Sequence, residues 1–191
     1  MSAAPARHST RTTATREKLY AAATKLVGER GIDQVTVEEI AADAGVAKGT
    51  VYYNFASKDL LIEGLLENRL RALIADLKEI EHEDGSPAIS RIVDVLLGFA
   101  GANVSVVQII VAEMWRASSR WHDVLGRMRA DILDTLERVV GEAGGSHAVG
   151  ARTVAVGLLA TCLTVGLDWQ IYAPAHERDE IEQQITLLFD A

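Results

Sequence analysis

The sequence predicts an all-α protein, and three observations carry that expectation. Apolar residues recur at i, i+3, i+4 and i+7 along almost the whole chain, with hardly any strict alternation. Proline occurs three times in 191 residues, so few helices are interrupted. Polar, glycine-bearing breaks such as EHEDGSP and GEAGGSHAVG separate apolar stretches of helical length. With 49% hydrophobic residues, the chain can build one sizeable core or two smaller linked ones.

Residues 1–14 are Ala, Ser, Thr, Pro and Arg without apolar periodicity, and a disordered basic arm is expected there. Arg7 and Arg11 suit either a DNA minor groove or a solvated tail. From about Thr15 to Arg30 a helix carries Leu19, Ala22, Ala23, Leu26 and Val27 on one face, and Gly31 closes it. Arg16 and Lys18 oppose the helix dipole at its start, an unfavourable placement unless an anion such as a phosphate lies nearby.

Thr36 to Lys58 reads as two short helices joined by a tight turn. Thr36 with Glu39 makes a capping box, and Val35 with Ile40 has the spacing of a hydrophobic staple. Val37, Ile40, Ala41 and Ala44 share a face to bury, and Gly45 ends the first helix. Val51 plugs the same core from the second helix. Ala47, Lys48, Gly49, Thr50, Tyr52, Tyr53 and Asn54 are left facing outward. A plain helical hairpin with a solvated second helix fits the turn as well as a DNA reader does.

Ser57 is the expected N-cap of a long helix reaching about Glu83, in which Leu66, Leu70, Leu73, Leu77 and Ile80 form one buried stripe. Two helices apolar on most sides follow, from Ala88 to about Ala102 and from Val104 to about Ala117. An amphipathic helix runs from Trp121 to about Glu142. His147 to Tyr172 is apolar with small residues at Gly157, Ala160 and Gly166, and Glu177 to Phe189 closes the chain.

The run TVEEIAADAGVAKGTVYYNFASKDLL resembles the DNA-binding region of the TetR (tetracycline-repressor-like) family, whose pattern is close to T-x-x-x-I-A-x-x-A-G-V-S-x-G-x-x-Y-x-H/Y-F-x-x-K-x-x-L. The matches are Thr36, Ile40, Ala41, Ala44, Gly45, Val46, Gly49, Tyr52, Phe55, Lys58 and Leu61 or Leu60. Ala47 stands where the family usually has Ser, and Asn54 where His or Tyr is common. The resemblance implies a three-helix helix-turn-helix domain over residues 15–60 and a larger helical ligand-binding and dimerisation domain over 61–191. It implies a transcriptional regulator, a repressor acting as a homodimer on a double-stranded, near-palindromic operator and answering to a small-molecule effector.

On that footing Lys48 to Tyr53, Gly49 included, enter a major groove. Lys48 and Thr50 are expected at base edges or nearby phosphates, Tyr52 and Tyr53 at thymine methyls or phosphates. Thr36, Asn54 and Lys58 are expected to position the backbone, with Arg16 near a phosphate. In the larger part, Phe99, Met114, Trp115, Trp121, His122, Met128, Trp169 and Tyr172 are candidates for lining an effector pocket, or else for core and dimer interface. Glu113 interrupts an apolar run, so its carboxylate, if buried, is either protonated or paired with a cation such as Arg116, Arg120 or a cationic ligand.

The net charge of −8 divides unevenly: residues 1–60 hold 8 Lys/Arg and 7 Asp/Glu, and the rest holds 11 and 20. The acidity therefore lies away from the reading segment. Five scattered histidines show no HExxH motif, and neither a P-loop nor a dinucleotide fingerprint occurs, so neither enzyme, metal nor cofactor is expected. Cys162 is the only cysteine, which fits a reducing cytoplasm. No secretory signal is read, and Thr153 to Leu167 falls short of the roughly 20 apolar residues of a spanning helix, so no membrane partner is expected.

Overall fold

The computed structural model describes residues 6–80, 88–142 and 150–189, with side chains from Thr12 onward. Among these residues there are helices and no strand, as the apolar periodicity requires. Two compact units result, one through Leu66 and one from Glu67.

The first unit begins with α1 (Ala6–Arg30), whose Leu19, Ala22, Ala23, Leu26 and Val27 are buried. The helix starts well before Thr15, against the expectation of a disordered arm through residue 14. Once tertiary packing has fixed Leu19 to Val27, each added residue gains a hydrogen bond without a new nucleation cost. A single 3-10 turn (Ile32–Gln34) leads into α2 (Val37–Asp43). The expected capping box is present: the Glu39 amide donates to Thr36 Oγ1 at 3.3 Å, and the Thr36 amide donates to Glu39 Oε2 at 2.8 Å. Val35 and Ile40, the staple pair, are 1% and 0% exposed.

Gly45 then turns the chain with φ 65, a left-handed conformation that costs glycine nothing because it lacks Cβ. The Val46 amide donates to Ala41 O at 3.0 Å and the Gly45 amide to Ala42 O at 3.1 Å, the paired bonds of a Schellman motif. The next helix, α3 (Lys48–Asn54), buries only Val51. Helix α4 (Lys58–Ile80) is capped by Ser57, whose Oγ accepts from the Leu60 amide at 3.1 Å. Its Leu61, Ile62, Leu65 and Leu66 are all fully buried. The boundary between units therefore falls at Leu66, inside the helix, six residues beyond the division at residue 60 read from the sequence.

In the second unit, Leu70, Leu73, Leu77 and Ile80 continue the buried stripe of α4. Then come α5 (Ala88–Ala102), α6 (Val104–Glu113), α7 (His122–Glu142), α8 (Ala151–Tyr172) and α9 (Arg178–Phe189). Helix α8 packs on α5 and α7, and α9 packs on α5. Helix α8 is long and apolar enough by composition to cross a membrane. Its packing accounts for much of that apolarity, since Val154, Ala155, Leu158, Leu159, Cys162, Leu163 and Gly166 are buried. Gly166 lies so close to Ala100 of α5 that a Cβ there would come within 2.6 Å of the alanine methyl. At the other end of α9, Arg178 Nη2 donates to Asp94 O of α5 at 2.7 Å.

Candidate functional site

Helix α3 places its side chains on the outside of the first unit. Lys48, Gly49, Tyr52 and Tyr53 are exposed, Tyr53 at 77%, while Thr50 and Asn54 are half-buried. Ala47 occupies the N-cap without a side-chain hydrogen bond. Lys48 forms an ion pair with Glu38 of α2, and its Nζ lies 5.7 Å from the centre of the Tyr52 ring. The Glu38 carboxylate raises the Lys48 pKa, so the ammonium is charged across the physiological range.

The expected backbone-positioning residues are more engaged inside the unit than the sequence suggests. Lys58 Nζ donates to Ile32 O and Val35 O, each at 2.9 Å, and so ties α4 to the loop before α2. Asn54 Nδ2 donates to Thr50 O at 2.8 Å, while its Oδ1 is buried without a partner. Thr36 serves the capping box. Arg16 lies over the Phe55 ring at 4.7 Å. Lys25 and Arg30 pair with Asp43 and Glu39 at 2.5 and 2.7 Å. Among the described residues of this unit, Arg16 and Lys18 are left without a carboxylate partner. The side chains of Arg7 and Arg11 lie outside the described ones.

The second unit contains an apolar cavity of about 80 Å³, lined by Val111, Met114, Trp115, Arg129, Leu133, Val156, Leu159, Ala160, Leu163 and Thr164. A narrower space of about 10 Å³ shares Met114, Arg129, Leu159 and Leu163 with it and reaches Leu70, Leu73 and Phe99. Of the aromatic and sulfur candidates, Phe99, Met114 and Trp115 therefore line this space. Trp121 and Met128 do not; they are core side chains at 4% and 5% exposure. His122 is exposed at the start of α7, and Tyr172 is exposed at the end of α8. Trp169 Nε1 donates to His176 O at 2.9 Å and closes the α8–α9 corner. Glu113 is buried and paired with Arg116, Nη1 to Oε1 at 2.9 Å, so a cationic ligand is not needed to neutralise it.

Arg129 is the charged lining residue among those that sequence reasoning missed. On an amphipathic helix an arginine reads as part of the solvated face. Its spacing was the available signal: four residues after Leu125 and four before Leu133, it sits in register with the buried stripe. Cys162 offers no chemistry here, since burial pushes its thiol up to about 12 and keeps it protonated. Among the described residues no group of His, Cys, Asp or Glu is placed to hold a metal.

Residues 19–65 match the profile of bacterial regulatory proteins, tetR family. That segment, about a quarter of the chain, is similar to the family's DNA-binding domain. The chain is also similar to the uncharacterized HTH-type transcriptional regulator YvdT of Bacillus subtilis, 37% identical over 68 residues. That match spans 36% of this chain and 35% of YvdT, about a third of the relative's length. Similarity to the nucleoid occlusion factor SlmA of Citrobacter koseri extends further, 27% identity over 76% of this chain and 77% of SlmA. Over 91% of the chain, the fold matches 96% of FadR from Bacillus subtilis, a transcriptional regulator solved in complex with stearoyl-CoA, with a TM-score of 0.77 at 16% identity. The second unit thus has the fold of a tetR-family regulator as well.

Proposed function

We propose that this protein is a cytoplasmic, homodimeric regulator that represses transcription from a near-palindromic operator and is released by a small molecule held in the cavity of the second unit. Two copies of α3 enter successive major grooves, with Lys48, Thr50, Tyr52 and Tyr53 at base edges, thymine methyls or phosphates. Arg16 and Lys18, in the middle of α1, take phosphates. The observation that carries this reading is the exposed face of α3, held out by the Schellman turn at Gly45 and anchored inward by Val51. FadR from Bacillus subtilis, which shares this fold, was solved in complex with stearoyl-CoA, a molecule with a long hydrocarbon chain. Helix α4 is the proposed transmitter, since Leu70 and Leu73 line the inner cavity and its first turns belong to the first unit. Pairing of two chains is supported by the apolar residues left outside on α8 and α9, namely Ile171, Tyr172, Leu187 and Leu188.

Selection from a randomised duplex pool tests the reading directly. The expected product is an inverted repeat, bound with an affinity that falls steeply as salt rises. Lys48→Ala is expected to weaken the selected site about five-fold, roughly 1 kcal/mol, and to relax the preferred base at one position of each half-site. Salt-independent, unselective binding would instead favour a helical small-molecule-binding protein that keeps this fold without an operator.

A further inference from the structure

We propose that the cavity of the second unit takes a monoanionic amphiphile, an apolar body bearing one carboxylate, with Arg129 reading the anion and Trp115 serving as a lid. The inference rests on the ligand-responsive reading for its biological meaning, and it names the class of effector.

Arg129 projects into a wall otherwise made of Val111, Met114, Leu133, Val156, Leu159 and Leu163, where Thr164 supplies the one other polar side chain. A guanidinium against apolar walls needs an anion, water or an aromatic face. Among the described residues its partner is the Trp115 ring, 5.4 Å from Cζ to the ring centre, and no carboxylate pairs with it. The positions three and four away on α7 are Leu125, Gly126, Ile132 and Leu133, none of them acidic. Glu113, the nearest acid in the sequence of the lid segment, is already bound to Arg116. The cavity is therefore a site with one uncompensated positive charge and an apolar interior. A planar fork of donors suits a carboxylate, which accepts two parallel bonds from it. A neutral ligand would leave the half-buried guanidinium to solvent and to the Trp115 ring and gain nothing from it, and a cation would be repelled.

The space of about 80 Å³ is below the roughly 300 Å³ at which ligand sites usually begin. Entry therefore requires a wall to move. Trp115 is the wall free to do so: α6 ends at Glu113, and the indole is 72% exposed, held chiefly by stacking on Arg129. A carboxylate that takes Arg129 releases the ring, and the hydrocarbon fills the channel toward Phe99, Leu70 and Leu73.

The test titrates full-length protein with decanoate and with 1-decanol, both below their aggregation limits, by calorimetry. Decanoate is expected to bind at least ten-fold more tightly than decanol. Arg129→Met should bring the two to within about two-fold while leaving the thermal melt in place, and Ala160→Phe, at an exposed wall position, should weaken both by ten-fold or more. Equal binding of acid and alcohol to the wild type overturns the proposal, as does a preference that survives Arg129→Met or an unaltered affinity in Ala160→Phe. Failure to bind decanoate also overturns it, while the operator reading would stand if selected DNA is still bound. Conversely, decanoate binding with the expected preference but without release of the selected duplex would uphold the anion site and sink the effector reading.

Discussion

Glu39 shows how much one side chain can carry. Its carboxylate accepts from the Thr36 amide and hydroxyl, each at 2.8 Å, and from Arg30 Nη1 at 2.7 Å. These donors, the Arg30 guanidinium foremost, hold its pKa at about 2, below the ordinary 4.5. Between those values the unfolded chain binds the extra proton, so the contribution of Glu39 is complete above about pH 4.5 and disappears as pH falls through about 2. Thermal melts of wild type and Glu39→Gln should differ by a constant amount above pH 5 and converge toward pH 2. A gap independent of pH would remove the ionised carboxylate from the account. The capping box was legible because it is local, four consecutive residues. Lys58 was not: its acceptors Ile32 and Val35 lie 26 and 23 residues away, and only the fold brings them to its ammonium.

At the scale of the element, periodicity located the longer described helices, the turn at Gly45 located α3, and local chemistry set most of the ends. Gly45 and Ser57 mark their boundaries through backbone conformation and a hydroxyl cap, both written in single residues. The end of α6 was read four residues late because Glu113, Met114 and Trp115 continue the apolar spacing. The chain turns instead through Arg116 N to Glu113 O and Ser119 N to Arg116 O, at 3.1 and 2.9 Å. Ser119 also accepts from the Trp121 amide, the local competition by which serine breaks a helix. Small residues on α8 let a neighbouring helix come close, as Gly166 does against Ala100. Gly166→Ala is expected to cost about 1–2 kcal/mol, overpacking outweighing the gain in helix propensity. Gly126→Ala on α7, where an added Cβ meets nothing within 4 Å, should stabilise by up to about 1 kcal/mol. Denaturant melts of the two variants give the comparison, and equal signs would contradict the close approach.

For the whole molecule, charge and apolar surface divide the labour. The segment that carries α3 is close to neutral while residues 61–191 carry net −9, from 11 basic and 20 acidic side chains. In the function proposed, that acidity disfavours nonspecific contact between nucleic acid and the second unit. Leu187 and Leu188 are 67% and 69% exposed on α9, adjacent apolar side chains that a second copy covers in the paired arrangement proposed above. Leu188→Glu is expected to shift the protein from twice the chain mass to the single chain mass in sedimentation, and to lower affinity for a two-half-site duplex by more than ten-fold. A wild type that sediments as one chain at micromolar concentration would set aside the paired arrangement. Architecture and the exposed helix α3 were legible because both follow from short-range pattern and a dense motif. The cavity was not, since its walls come from five helices and its one charge looks ordinary in sequence.

Cys162 sits at 0% exposure with its proton firmly held, and it is the chain's single sulfhydryl. The surface is accordingly silent toward maleimides. A probe installed through Tyr53→Cys would be the lone label on each copy, so a spin-echo or energy-transfer ruler could gauge the separation of two reading helices directly, with and without decanoate, in a molecule otherwise untouched.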